Sequence, residues 1–352
     1  MFFHILVSVM NVAVVGASGA VGQEMILCLH SERLVVGNVW LFASERSAGR
    51  MVDTPFGRLE IEEFSIRLIL ERKCRIVLLA VSGSFSREWS PALVDIGCIV
   101  IDNSSAFRYN EDVPLVIPEM NFATAVTELQ RCARGLIIAN PNCTTAISAM
   151  VLHPLHVAFG SIKTMICSTY QAASGAGEAG MRELEDAIAS RSRGDSNFNP
   201  TVFSHNLCCN VIPAIDTPEP NGYTKEEMKM VWETRKIFAD PNMRISCTAV
   251  RVPTMRAHCI AVSLELGVPV TPDKVREVLQ LAPGVRLVDD LDKHKYPLPS
   301  EAAGRDEVLV GRIRQSLVFG NSGIDLFIAG DQLRRGAALN AVRICSALLP
   351  HM

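Results

Sequence analysis

The sequence predicts an α/β chain of two domains: a doubly wound parallel sheet, followed by an α+β unit built on a mixed sheet. Three observations carry that prediction. Short aliphatic runs at 12–15, 36–43, 76–81, 98–101 and 136–139 are spaced by stretches of helical character, and unbroken runs of that length suit strands buried on both faces. The glycine-rich turn after the first run opens a segment, 21–30, whose apolar residues fall at helical spacing, which is the logic of a βαβ unit. Beyond residue 140 the texture changes, and 161–170 and 258–266 alternate apolar with polar residues, as strands with one covered face do.

The run at 12–15 reads as the first strand, with 1–10 as an extension of it and Met10 as an alternative start. Residues 1–22 are largely apolar, but they lack a cationic leading segment and Asn11 and the glycines interrupt them, so a secretion signal is not expected. Elsewhere no apolar run approaches the ~18 residues of a membrane span. Residues 143–157 read as a helix, 212–220 as an exposed Pro-rich loop, and 333–349 as a last helix returning to the first domain. The expected boundaries are therefore 1–140 plus 333–352 for one domain and 141–332 for the other.

Composition agrees with a packed protein of two domains: 352 residues, 49% hydrophobic and 20% charged, leave no case for disorder. Lys+Arg 34 against Asp+Glu 37, with 6% aromatics, speaks against a nucleic-acid surface. The 11 cysteines contain no CxxC pair. Most of them read as small buried hydrophobes in a reducing cytoplasm, and no metal site is expected.

Three constellations carry chemistry. The first is Gly16-Ala17-Ser18-Gly19-Ala20-Val21-Gly22, between a strand and a helix. Its glycines let the backbone amides of Ser18, Gly19, Ala20 and Val21 approach a pyrophosphate at a helix N-terminus. At the end of the second strand Ser44, Arg46 and Ser47 suit a 2′-phosphate, with Arg46 donating in a fork, although Glu45 lies among them. NADP is therefore favoured over NAD.

The second is Asn140-Pro141-Asn142-Cys143-Thr144-Thr145. Pro141 should stop the strand and set Cys143 at a helix start, where partial positive charge favours thiolate. The third is Arg251-Val252-Pro253-Thr254-Met255-Arg256-Ala257-His258, which offers an imidazole as proton partner at a strand start. His4, His30, His294 and His351 lie in terminal or polar surroundings, His153 and His156 read as a structural pair, and His205 stays open.

Taken in this order, these constellations resemble aspartate-β-semialdehyde dehydrogenases of the bacterial form, over essentially the whole chain. Further matching pieces are Ser104-Ser105-Ala106-Phe107-Arg108, Tyr170-Gln171-Ala172-Ala173-Ser174-Gly175-Ala176-Gly177, Tyr223-Thr224-Lys225-Glu226-Glu227-Met228-Lys229, Val310-Gly311-Arg312-Ile313-Arg314 and Arg335-Gly336-Ala337-Ala338-Leu339-Asn340. The resemblance implies reduction of L-aspartyl-4-phosphate by NADPH through a Cys143 thioester, in lysine, methionine and threonine biosynthesis. It implies His258 as acid/base group and Gln171 as the group orienting acyl carbon and thiol. Substrate contacts fall to Asn142, to Arg251 for the α-carboxylate, to Glu226 for the α-amino group, and to Arg108 and Lys229 for phosphate. Ser174, Gly175 and Gln332 would meet the cofactor. A homodimer or homotetramer is implied, with the second domain carrying catalysis and dimerisation. The sequence departs from the family pattern at Ala257, Cys259 and Gln332, where Gly, another residue and Asn are usual, and matches it loosely at Val81-Ser82-Gly83-Ser84. N-acetyl-γ-glutamyl-phosphate reductase, a cofactor-free Cys–His hydrolase and a non-enzymatic NADP-binding regulator are the competing readings. The first is expected to carry a different cysteine segment and to lack the Glu226–Lys229 pair.

Overall fold

Val12 to Val15 have no side chain that water reaches, and in the structure, a computed structural model, they form most of the central strand of a parallel sheet. The structure describes residues 10–34, 36–132, 134–195 and 198–352; the expected extension at 1–9 lies outside the described residues. The chain divides into a unit comprising residues up to 118, 122–140 and 341–352, and a unit of 119–121 with 141–340.

In the first unit β1 (Asn11–Val15) leads into α1 (Ala20–Ser31) and β2 (Val39–Ala43). A hairpin of β3 (Met51–Thr54) and β4 (Gly57–Glu63) follows, then α2 (Ile66–Glu71), β5 (Cys74–Leu79), α3 (Gly83–Asp95), β6 (Ile99–Asp102), α4 (Pro118–Arg131) and β7 (Leu136–Ala139). The sheet order is β3-β4-β2-β1-β5-β6-β7, parallel except where β3 folds back on β4. Because β2 and β5 flank β1 on opposite sides, the turn after Val15 sits at the point where strand order reverses, the usual place for a ligand in a doubly wound sheet. The expected parallel sheet is borne out, with local shifts. β2 starts at Val39 because Asn38 is tied back, its backbone N–H donating to Asn11 Oδ1 at 2.9 Å. β5 ends at Leu79, two residues short of the apolar run, because the next residue turns above the glycine loop. The β3–β4 hairpin is largely exposed and polar, so the aliphatic-run signal misses it.

The second unit begins with α5 (Cys143–Ala158), β8 (Thr164–Gln171), α6 (Gly177–Ser192) and α7 (Lys225–Ile237). It continues through β9 (Arg244–Arg251), β10 (His258–Glu265), α8 (Pro272–Gln280), β11 (Val285–Leu287), α9 (Pro299–Ala302), β12 (Val308–Gln315) and β13 (Gly323–Gly330); α10 (Leu339–Leu348) follows and from residue 341 belongs to the first unit. Its mixed sheet has the order β11-β12-β13-β10-β8-β9, as the alternating pattern predicts. Helix α5 packs on β10, β12 and β13, and α7 packs on β9. Along β8, Met165, Cys167, Thr169 and Gln171 are buried while Ile166 and Tyr170 are 46% and 39% exposed, so the sheet's other face is open. β12 escapes the sequence pattern because its register shifts between Gly311 and Arg314, with Arg312 at φ +55°. The helix expected over 333–349 is instead a π-helical turn, Arg334–Ala338, and then α10. Among the described residues no helix is long and apolar enough to cross a membrane.

Candidate active site

Asn142 caps α5: its Oδ1 accepts the amides of Thr144 at 3.0 Å and Thr145 at 3.3 Å. That leaves Cys143 half-buried at the first helical position, where the helix dipole stabilises thiolate over thiol. The cap is itself held from below. The backbone N–H of Asn142 donates to Glu233 Oε2 at 2.6 Å and its Nδ2 to Glu226 Oε1 at 3.0 Å. Glu233 is fully buried; on sequence it looks like one more acid on an amphipathic helix, and only the fold shows it under the cap of α5.

Strand register brings the next three groups together. Gln171 ends β8 opposite Arg251, the last residue of β9, and His258 starts β10, whose next residue Cys259 pairs with Tyr170. Gln171 Nε2 donates to Glu226 Oε1 at 3.2 Å and lies 3.5 Å from His258 Nε2. Arg251 donates to the Ala172 carbonyl at 2.7 Å. Burial pulls its pKa below the usual arginine value, and Glu226 and Cys143 oppose that only in part. A Cβ on Gly175 would stand 2.5 Å from Arg251 Nη1 and 3.3 Å from His258 Nε2. Only glycine leaves room for both.

His258 is fully buried, and its Nδ1 accepts the Ala172 N–H at 3.0 Å. The proton of the neutral ring is thereby assigned to Nε2. Burial, with Arg251 next, pushes its pKa down to about 3. The sign for stability follows: below the unfolded value of 6.5 the unfolded chain takes up a proton that the folded site refuses. His258 therefore lowers stability as pH falls from 6.5 towards 3 and has no effect above that window. We expect urea unfolding of the native chain to weaken towards acid by up to ~1.4 kcal/mol per pH unit more than that of His258→Asn. Parallel pH slopes for the two proteins would refute it.

The charged group on α7 is an ion triad. Lys229 Nζ lies 2.8 Å from Glu226 Oε2 and 2.7 Å from Asp216 Oδ2. Burial raises the Glu226 pKa, but Lys229, Asn142 and Gln171 together hold it below the usual carboxylate range. Burial likewise lowers Lys229, and its two carboxylates raise it overall. The helix itself starts at a capping box between Thr224 and Glu227, and Glu227 also accepts the Ala249 N–H at 2.9 Å, which ties the helix to β9.

Gln332 is buried and uses both ends of its amide, donating to Ser174 Oγ and accepting the Ala257 N–H at 2.8 Å. Ala257 has φ +73°, a conformation that favours glycine. Two positions where the sequence departs from the family pattern thus touch each other. Gly336, in the π-helical turn, packs on Cys143: a Cβ there would lie 2.8 Å from Cys143 Cβ.

The dinucleotide loop and Arg108 belong to the first unit. Gly16 has φ +87°, and a Cβ on it would lie 2.2 Å from the Ala80 carbonyl oxygen. Gly19 caps α1 without any side-chain bond to the first-turn amides. The residues present fit a dinucleotide pyrophosphate. Ser44 caps a 3₁₀ turn, Glu45–Ser47, and among the described residues the exposed Arg46 takes part in no ion pair. Arg108 is buried and donates to the Asn103 carbonyl at 2.7 Å.

Three further histidines, His153, His156 and His205, have ordinary surroundings. His153 and His156 stack edge-on against Phe238, with ring centroids at 6.1 and 5.0 Å. His205 is exposed and 3.1 Å from Ser204 Oγ. Among the described residues no three His, Cys, Asp or Glu side chains converge as a metal site.

Residues 11–128 match the semialdehyde dehydrogenase NAD binding domain family, and residues 152–335 match the semialdehyde dehydrogenase dimerisation domain family. Aspartate-semialdehyde dehydrogenase of Synechocystis sp. is 41% identical over 342 residues, covering 97% of this chain and 98% of that relative. The Aquifex aeolicus protein of the same name is 39% identical over 343 residues, covering 96% and 98%. Among solved structures, aspartate semialdehyde dehydrogenase II from Vibrio cholerae, complexed with ASA, aligns with a TM-score of 0.91 at 38% identity, over 97% of this chain and 99% of that one.

Proposed function

The chain belongs to the aspartate-semialdehyde dehydrogenase family, and from that premise we propose that it reduces L-aspartyl-4-phosphate with NADPH to L-aspartate-4-semialdehyde and phosphate. The observation that carries the reading is the half-buried Cys143 thiol at the first position of α5, whose cap residue Asn142 shares the Glu226 carboxylate with Gln171, itself paired in register with Arg251.

Cys143 thiolate attacks the acyl carbon, the bond from that carbon to the phosphate oxygen breaks, and its electron pair leaves with phosphate. A Cys143 thioester remains. Gly16, Ser18, Gly19, Ala20 and Val21 would hold the pyrophosphate, Ser44, Arg46 and Ser47 the 2′-phosphate, and Ser174, Gly175 and Gln332 the nicotinamide end. Bound there, the reduced nicotinamide would supply hydride for reduction of the Cys143 thioester. His258, the acid/base group, keeps a proton on Nε2 for the acyl oxygen while that oxygen carries negative charge. Collapse expels the Cys143 thiolate and releases aldehyde. Gln171 and Asn142 orient the acyl group, and Arg251 grips the α-carboxylate through a fork that lysine lacks. Glu226 supplies negative field for the α-ammonium, and Arg108 and Lys229 receive the phosphate. The match to a dimerisation domain and the open face at Ile166 and Tyr170 support a homodimer.

The test runs the reaction backwards. NADPH formation from L-aspartate-4-semialdehyde should require inorganic phosphate. Arg46→Ala should raise the KM for NADP by roughly 10–100-fold, the worth of one or two charge-assisted hydrogen bonds, and leave that for NAD nearly unchanged. Turnover of N-acetylglutamate semialdehyde in its place, or no dependence on phosphate, would overturn the assignment.

A further inference from the structure

The second unit holds a cavity of about 240 Å³ that shares no residue with the candidate active site. Arg286, His294, Lys295 and Arg305 line it, with Glu301 as its one acid and Val288 and Leu309 as an apolar wall. These cations come from three stretches of chain: β11, the turn that follows it, and the residues after α9. Neighbouring cations of the same unit are neutralised at short range. Arg276 lies 2.9 Å from Asp273 and 2.8 Å from Asp289, Lys293 lies 2.8 Å from Asp290, and Arg334 lies 2.5 Å from Asp306. Those of the cavity are not. Arg286 comes no nearer to Glu307 than 3.9 Å, and among the described residues the side chains of Lys295, Arg305 and Glu301 form no ion pair. Arg286, Lys295 and Arg305 facing Glu301 leave positive charge in excess. Gathered over an apolar wall, that charge is screened less than in open water.

The backbone holds the cations where they stand. Lys295 and Asp290 exchange both of their backbone hydrogen bonds, at 2.8 and 2.9 Å. Arg305 Nε donates to the Glu301 carbonyl at 2.5 Å, which leaves the terminal nitrogens of the fork for a ligand. Gly304, just before it, donates to the carboxylate of the fully buried Asp331 at 2.5 Å. A receptor ordered before its ligand arrives loses little entropy on binding. The space is that of about eight waters at ~30 Å³ each, which a four-carbon dicarboxylate fills.

We infer that this cavity is a binding site for a compact dianion, a small dicarboxylate or a phosphomonoester of similar size, gripped by Arg286, Lys295 and Arg305. Two negative charges match the excess, and Val288 and Leu309 take the ligand's short apolar stem. Glu301 opposes the ligand and limits how tightly it is held.

Isothermal titration of the whole chain at low ionic strength tests this, with succinate and glycerol 3-phosphate as the probes. At least one should bind saturably, with a Kd on the order of 0.1–1 mM. Arg305→Ala and Lys295→Ala should each weaken that binding by about 10-fold, the worth of one charge-assisted hydrogen bond. Glu301→Gln should tighten it by roughly 3–10-fold, because a repulsive charge is gone. All three side chains are exposed, so these substitutions leave the fold intact. Arg251→Ala, outside this cavity, should bind as the native chain does. The probe held more tightly identifies the source, a carboxylic acid or a phosphate ester. No saturable binding of either probe overturns the proposal, as does equal affinity in the native and Arg305→Ala chains. Binding lost in Arg251→Ala but kept in Arg305→Ala would put the ligand in the candidate active site and overturn it too.

Discussion

Replacing Cys143 with Ala should lower phosphate-dependent NADPH formation on the order of 10⁵–10⁶-fold, the scale seen when a covalent nucleophile is removed. The fold should survive. Cys143 occupies the first helical position, where Ala is well tolerated, and the cap is made by Asn142 through contacts that do not involve the sulfur. Cys143→Ser should be nearly as inactive, because a serine hydroxyl at this position gains the helix dipole but remains far from ionised at neutral pH. Fluorescence titration with NADPH should show unaltered cofactor binding for both variants. Residual activity within ~100-fold of native would mean that the chemistry does not pass through this sulfur, and would reopen the assignment of all three constellations.

The second large effect is expected at Gly336. An added Cβ would stand 2.8 Å from Cys143 Cβ and 3.1 Å from its Cα, so the clash is with atoms fixed by the backbone and no side-chain rotation relieves it. The turn is not free to retreat. Gly336 N–H donates to the Asp331 carbonyl at 3.0 Å and Ala338 N–H to the Leu333 carbonyl at 2.9 Å. The fully buried Arg335 beside it is clamped in a bidentate pair with Glu119, at 2.8 and 2.6 Å. Overpacking of this kind costs ~1–3 kcal/mol, and a nucleophile displaced by even part of an ångström loses on the order of 10²-fold in rate. Gly336→Ala should therefore reduce kcat by about that factor with little change in the KM for NADP. A variant with native kcat would show that the turn yields and that Cys143 does not depend on it.

Much of this architecture is legible in the sequence because its signals are local. The central strand, the glycine turn and the helix after it are spelled in consecutive residues, as are the proline that stops β7 and the cap that starts α5. What is not legible is set by distance along the chain. Glu233 meets the Asn142 amide across 91 positions, and nothing in its own helix distinguishes it from a solvated acid. Asp216 sits in a Pro-rich loop whose composition says only that it turns. Gly336 reads as a permissive residue in a helical stretch until Cys143 is seen against it. The β3–β4 hairpin and β12 were hidden for a simpler reason: one is largely exposed, with only Leu59 and the buried Ile61 as an apolar face on β4, and the other carries a register shift.

Gln171, Arg251 and His258 stand at one end of three neighbouring strands, and their alignment has a consequence for how this protein acquires activity. Side chains alternate across a strand, so a slip of a single residue between β8 and β9 would carry Gln171 to the opposite face from Arg251. Such a slip would take the cap contact to Glu226 with it. There is no half-built version of this site. A chain whose hydrophobic layers have collapsed, but whose ladders have not yet locked, is as inert as an unfolded one. Turnover in a renaturing sample therefore requires the β8, β9 and β10 ladders to be in native register, and activity gauges pairing fidelity across more than 80 residues of sequence separation.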